Sequence, residues 1–223
     1  MFRHIIFDCD GVLIDSEEIS MATDQKLLAE NGLVISEQEM HRRFVGKTFA
    51  AMVAELESEH AIKLPADLEA RKDTIMQEQY RRQLKAIPGV ASALEGISLP
   101  KSIGTNGPRH RALLALEVTG LARHFGTRLT TFEDVARGKP FPDVYLLAAS
   151  RAGAPPADCI VVEDSVTGVA AAVAAGCLTL GFTGSHLHRS EHALALTALG
   201  AARVFNDMAE LPGLVESLTT AAA

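Results

Sequence analysis

Asp8-Cys9-Asp10 sets two carboxylates two residues apart at the end of a short apolar run, His4-Ile5-Ile6-Phe7. In extended chain, residues i and i+2 point to the same side, so both acids would face one cavity. Such a pair can divide labour, one ionised as a nucleophile and the other protonated as an acid. The competing reading is that they cap the turn at Gly11, although buried carboxylates are seldom tolerated without partners. Three more groups have chemistry to offer. Thr105-Asn106-Gly107-Pro108 combines a hydroxyl with backbone N–H groups at a helix start, which makes either an anion site or a plain N-cap. Lys139, within Gly138-Lys139-Pro140-Phe141-Pro142-Asp143, is held extended by the proline that follows it. It could neutralise phosphoryl charge, steady a nearby carboxylate, or lie on the surface like most lysines. Glu163-Asp164-Ser165 follows Ile160-Val161-Val162. Two adjacent acids at the end of a buried strand call for a cation, and with Asp8 they supply hard oxygen ligands suited to Mg²⁺. Otherwise they are helix N-terminal acids favoured by the helix dipole.

The elements that must position these groups are legible in the apolar pattern. His4-Ile5-Ile6-Phe7 is a near-continuous apolar run, as expected of a strand buried on both faces. Similar runs recur at 101–104, 159–162, 178–180 and 203–205, with a weaker one at 127–130. Helical patterning fills 108–121, 140–152 and 166–175, with Pro108 in the first turn of one helix and Gly176 closing another. Strands alternating with helices predict an α/β fold, a Rossmann-like doubly wound parallel sheet. Ligands in such sheets bind at the carboxyl ends of the strands, where all four groups above would lie. Residues 16–86 read differently. Met21–Glu30, Gln38–Phe44, Phe49–His60 and Asp67–Leu84 are helical, punctuated by Asn31-Gly32, Gly46 and Pro65. The expected organisation is a core domain of residues 1–15 plus 87–223, with an inserted α-helical cap domain at 16–86. Hinges are expected near Ile14–Ser16 and Ala86–Gly89. Asp15, three residues before Glu18, resembles a capping box at the start of the first cap helix.

Bulk properties narrow the partners. The chain has 223 residues, is 48% hydrophobic and carries a formal net charge of −7. That composition supports a real core, and the lack of a Lys/Arg block argues against nucleic acid. No signal-peptide pattern follows Met1, and no apolar stretch is long enough to span a bilayer. Cys9, Cys159 and Cys177 form an odd, sparse set that suits a reducing cytoplasm and offers no zinc site. Cys9 is expected to pack inward. The oligomeric state is left open and is compatible with a monomer.

Taken together, Asp8-Cys9-Asp10-Gly11-Val12-Leu13-Ile14-Asp15-Ser16-Glu17, Thr105-Asn106-Gly107, Gly138-Lys139-Pro140-Phe141-Pro142-Asp143 and Val162-Glu163-Asp164-Ser165 with Gly168 resemble the four strand-end signatures of the haloacid dehalogenase superfamily. The likeness runs the length of the chain. The helical insert resembles the small cap of the β-phosphoglucomutase-like subgroup, which includes many sugar-phosphate phosphatases. The resemblance implies that Asp8 attacks phosphorus and that Asp10 serves as acid, then base. It implies that Thr105, Asn106 and Lys139 bind phosphate. It also implies that Asp8, the Asp10 backbone carbonyl and Asp164 hold Mg²⁺, with Glu163 a direct or outer ligand. A phosphatase acting on a small phosphorylated metabolite is expected, with a β-phosphoglucomutase-type mutase as the alternative. Two departures favour hydrolysis. The arginine expected three residues after Gly46 is Phe49, and the family's hinge histidine falls at Ser20. A dehalogenase needs neither Asp10 nor Glu163-Asp164. A phosphonatase would need a cap lysine such as Lys47. A non-catalytic binding protein on this fold would be expected to lack Asp8 or Asp10.

Two other signals are set aside. Gly46-Lys47-Thr48 mimics the end of a phosphate-binding loop, but His41 stands where that motif needs glycine. Lys47 could face the cavity or solvent. His186, His188 and His192, with Glu191, could mark a metal site, but read more simply as a polar surface loop.

Overall fold

The computed structural model describes residues 1–44, 48–186 and 188–221. Gly46 and Lys47 lie outside these described residues. Two compact units emerge, Met1–Asp15 with Lys85–Ala223, and Ser16–Leu84. Lys85 and Ala86, expected in the insert, pair instead with the chain leaving the first strand. Asp15 N–H donates to Lys85 O at 3.0 Å, and Ile14 bridges Ala86.

The first unit is built on six parallel strands: β1 (His4–Phe7), β2 (Lys101–Thr105), β3 (Leu129–Thr131), β4 (Cys159–Glu163), β5 (Leu178–Phe182) and β6 (Arg203–Phe205). Their spatial order is β3-β2-β1-β4-β5-β6. The chain reverses its direction of travel between β1 and β4, so the crevice for a ligand opens beyond the carboxyl ends of those two strands. Register sets that crevice. Phe7 lies opposite Val162, which brings Asp8 beside Glu163. The sheet is covered by α5 (Val90–Gly96), α6 (Arg109–Val118), α7 (Ala122–Phe125), α8 (Asp143–Arg151), α9 (Val166–Ala174), α10 (Arg189–Ala198) and α11 (Leu211–Ala221).

Small residues let two of these helices pack close to the sheet. Ala148, Ala149, Ala171 and Ala172 join Ile6, Val161, Cys159 and Cys177 in one buried cluster. The three cysteines are free and buried. The helix expected over 108–121 is α6, which stops at Val118, with Pro108 just before its first helical residue; α7 follows beyond that span. The weak strand at 127–130 is β3, a three-residue edge strand. The helices α5, α7, α10 and α11 escaped the sequence pattern.

The second unit contains α1 (Glu17–Glu30), α2 (Glu37–Phe44), α3 (Phe49–His60) and α4 (Leu68–Gln83). They close on Leu27, Leu28, Met40, Phe44, Met52 and Leu56. The N-cap of α1 is Ser16, and its side chain makes no cap bond, so the box read from Asp15 does not form. The cap that does form is at α3, where Thr48 accepts from Ala51 N–H at 3.1 Å. This unit also buries an ion pair, Asp24 with Lys72 at 2.7 Å. The pair borders a pocket lined in part by Glu17, Ser20, Phe49 and Met52. Among the described residues, no helix is long and apolar enough to cross a membrane.

Candidate active site

The buried Lys139 side chain stands between two strand ends. Its Nζ donates to Asp8 Oδ1 and to Glu163 Oε1, each at 2.6 Å. Asn106 anchors the lysine from the backbone side. Asn106 Oδ1 accepts from Lys139 N–H at 2.9 Å, and Asn106 Nδ2 donates to Lys139 O at 3.0 Å. Gly138 leaves room for this clamp, since a Cβ there would stand 2.7 Å from Asn106 Oδ1. An ammonium has three donors, so one remains after Asp8 and Glu163 are served. Burial alone would lower the Lys139 pKa, but the Asp8 and Glu163 charges outweigh it and hold the ammonium above its ordinary value.

Glu163 is more completely engaged. Its Oε1 also accepts from Tyr145 Oη at 2.7 Å, and its Oε2 accepts from the Ser165 N–H and hydroxyl at 3.0 Å each. Burial pushes its carboxyl up, yet Lys139, Ser165 and Tyr145 together bring it below the usual range. Gly168 is required here, because a Cβ would fall 1.7 Å from Glu163 Oε1. Tyr145, on α8, reaches the site because Gly104 leaves the face of β2 bare. A Cβ at Gly104 would lie 3.1 Å from the Tyr145 ring. Nothing in the local sequence marked Tyr145. The useful signal was the glycine inside a buried strand, which implies close approach from the next layer.

Asp8 behaves oppositely to Glu163. Burial, followed by the Glu163 and Asp164 charges, pushes its carboxyl well above the usual carboxylate range despite Lys139. A buried group in this state is poised to ionise when more positive charge arrives. Asp10 is half-buried and points toward the end of β2. Its Oδ2 lies 3.3 Å from where a Gly107 Cβ would stand, and so does Thr105 Oγ1. Thr105 Oγ1 accepts from Gly107 N–H at 2.9 Å, leaving its own hydrogen to donate. That N–H, read from sequence as open to an anion, is therefore spoken for. The Asn106 side chain is spoken for as well, by the Lys139 backbone.

Asp164 completes the acidic group. Ligand atoms of Asp8, Glu163 and Asp164, all three buried, lie within 4.8 Å of one another. The donor set is three hard oxygens with excess negative charge against one lysine, which suits a divalent cation. Asp10 contributes no carboxylate to this group. A tight cradle surrounds Asp164, since a Cβ at Gly11 would fall 2.0 Å from its Oδ2, and Gly11 has φ of +76°. Two histidines brace the same residue. His186 Nε2 lies 3.1 Å from Asp164 Oδ2, and His192 Nε2 lies 2.5 Å from Asp164 O. Their rings stack at 3.8 Å. The surface-loop reading of this segment is corrected by the structure. His192 is on α10 and both rings are half-buried against a strand end, while His188 and Glu191 are exposed.

Comparison with known proteins agrees with this geometry. The family described as haloacid dehalogenase-like hydrolase matches residues 5–182. A phosphorylated carbohydrates phosphatase of Thermotoga maritima is 32% identical over 182 residues, 77% of this chain and 81% of the relative. A 6-phosphogluconate phosphatase of Escherichia coli is 28% identical over 173 residues, 77% of this chain and 78% of the relative. A crystal structure of a conserved haloacid dehalogenase-like protein from Agrobacterium tumefaciens superimposes with a TM-score of 0.86 at 38% identity, covering 98% of this chain and all of that one (100%). The matched span begins on β1 and ends on β5, and it encloses the strand ends that supply Asp8, Thr105, Glu163 and Asp164 and the connection between β3 and α8 that supplies Lys139. With those side chains gathered at the switch in strand order, this chain belongs to the haloacid dehalogenase-like hydrolases.

Proposed function

We propose that this enzyme, a phosphoric monoester hydrolase, removes the phosphate from a small phosphorylated sugar or sugar acid through an aspartyl phosphate on Asp8. The observation that carries the reading is the buried Asp8 carboxylate held at 2.6 Å by Lys139, with Thr105 and Asp10 at the neighbouring strand end. The phosphatases among its relatives support the substrate class.

In the first step an Asp8 oxygen attacks phosphorus and the bond from phosphorus to the sugar oxygen breaks. Asp10 gives its proton to the departing alkoxide, which is too basic to leave alone. In the second step Asp10 takes a proton from water as the water oxygen attacks the aspartyl phosphate. The Asp8–phosphorus bond then breaks and inorganic phosphate is released. The third donor of Lys139 and the Thr105 hydroxyl bind the transferring phosphoryl oxygens. Glu163, with both oxygens already hydrogen-bonded, mainly holds Lys139 in place. Asn106 acts through its backbone and through its grip on the lysine. Asp8, Asp164 and the Asp10 carbonyl would hold Mg²⁺, with Glu163 behind them; when bound, the ion supplies the positive charge that keeps Asp8 ionised and lets it approach a phosphate.

The helical unit is assigned to substrate selection. Hydrolysis is favoured over mutase chemistry by Phe49 and Ser20, at the positions where the mutases carry arginine and histidine. Asp8→Asn tests the mechanism. It keeps the shape but removes the nucleophile, so turnover of a phosphate ester should fall by at least about a thousandfold with Tm unchanged. The wild type should lose activity in chelator and regain it with Mg²⁺. Near-wild-type rate in Asp8→Asn rules out the covalent route, and full activity in chelator rules out the metal.

A further inference from the structure

β3 is an edge strand, and the outward carbonyl of Leu129 needs a partner from outside the sheet. Two arginines meet it, Arg109 at 3.4 Å and Arg151 at 3.3 Å. Both also reach Asp134 Oδ2, at 2.5 and 3.1 Å. A third, Arg128, precedes the strand and donates through Nε to Lys101 O at 2.7 Å. Satisfying one strand edge does not require three guanidinium groups.

These three arginines line a cavity of about 370 Å³ together with Ser102, Thr127 and Thr130. The volume falls within the range of small-molecule sites. Its charge opposes that of the molecule, which is −7 overall. Arg109, Arg128 and Arg151, against Asp134 and Glu133, leave an excess of one positive charge here. Among the described residues, the bonds from Arg151 to the protein run through Nη1. Its Nε–Nη2 fork is open among the described residues, in the geometry that grips a carboxylate or phosphate with two parallel bonds. Arg128 uses Nε and Nη2 and keeps Nη1.

We propose that this cavity, beside β3 and the last turn of α8, binds a small dianionic metabolite, a phosphate monoester or a dicarboxylate. The Arg151 fork is the principal contact and Arg128 the second. The site is separate from the strand ends that hold Asp8 and Lys139.

Arginine Nε–H signals in ¹⁵N spectra of the full chain test it. Inorganic phosphate and succinate are titrated separately at constant ionic strength. With at least one of them, the Arg128 and Arg151 signals should follow one saturating curve, while exposed Arg81 and Arg82 stay still. Arg151→Gln should weaken the curve read at Arg128 about tenfold. Arg151→Lys should not restore it, because the charge returns without the fork. Saturation by phosphate alone identifies a phosphate ester as the ligand class, and saturation by succinate alone a dicarboxylate. Shifts no larger than those of Arg82 with both anions overturn the proposal. So does a phosphate curve seen only at the Gly107 amide, which puts the ion at the strand ends. If Arg151→Gln does not fold, Arg128→Gln read at Arg151 gives the same comparison.

Discussion

Asp8 and Glu163 are adjacent buried carboxylates that share one lysine, yet their acidities are driven apart. Glu163 has four donors and stays below the usual range, whereas burial and neighbouring charge raise Asp8. Asp10, by contrast, is half-buried near Thr105 and Gly107, at the end of β2. This division suits one carboxylate for attack and the other for proton transfer. Asp10→Asn should therefore slow hydrolysis of sugar phosphates at least about a hundredfold, while p-nitrophenyl phosphate, whose leaving group needs little protonation, loses less than about tenfold. The measurement is kcat on both substrates, and an equal loss on the two would mean that Asp10 has a structural role only.

At the scale of elements, β1 joins two very different environments. Its carboxyl end delivers Asp8, and its amino end buries His4 against Ser102, with the two side chains hydrogen-bonded at 2.8 Å. Burial, helped by the Arg128 charge, takes the His4 pKa down to about 4. Above pH 6.5 the ring is neutral in folded and unfolded chain alike, and nothing is lost. Between pH 6.5 and 4 the unfolded chain binds a proton that the folded chain refuses, so stability drains away as pH falls. After allowance for relaxation around the ring, this one residue accounts for about 2 kcal/mol. His4→Gln should be less stable than wild type at pH 7, and the gap in Tm should narrow at pH 4.5. A gap that is constant with pH would show that His4 is not the group titrating.

At the scale of the whole molecule, chemistry and recognition are assigned to different units. The Asp8 cluster belongs wholly to the first, and the Asp24–Lys72 pocket wholly to the second. If the helical unit selects substrate, a preferred phosphorylated metabolite should exceed p-nitrophenyl phosphate in kcat/KM by about a hundredfold, roughly 3 kcal/mol of contact energy. Lys72→Met should erase most of that preference and leave p-nitrophenyl phosphate within about threefold of wild type. A preference that survives Lys72→Met intact would move selection to the loops of the first unit.

The sequence by itself determined the class of fold, the insertion of a helical block and the four chemical groups. It could do so because buried parallel strands are continuous apolar runs, and polar residues at their ends stand out against them. The positions of Asp8, Thr105, Glu163 and Asp164 were legible for that reason, and Lys139, between β3 and α8, by its place before Pro140. Tertiary structure decided how these side chains are used. Asn106 looked like an anion ligand, but its amide clamps the Lys139 backbone 33 residues away. Tyr145 carried no mark in the sequence, but Gly104 brings its hydroxyl to Glu163. His186 and His192 looked like surface loop, yet both are half-buried against Asp164, the second of them on α10. Each of these contacts joins residues far apart in the chain, and local periodicity carries no record of partners that only the packing of separate elements brings together.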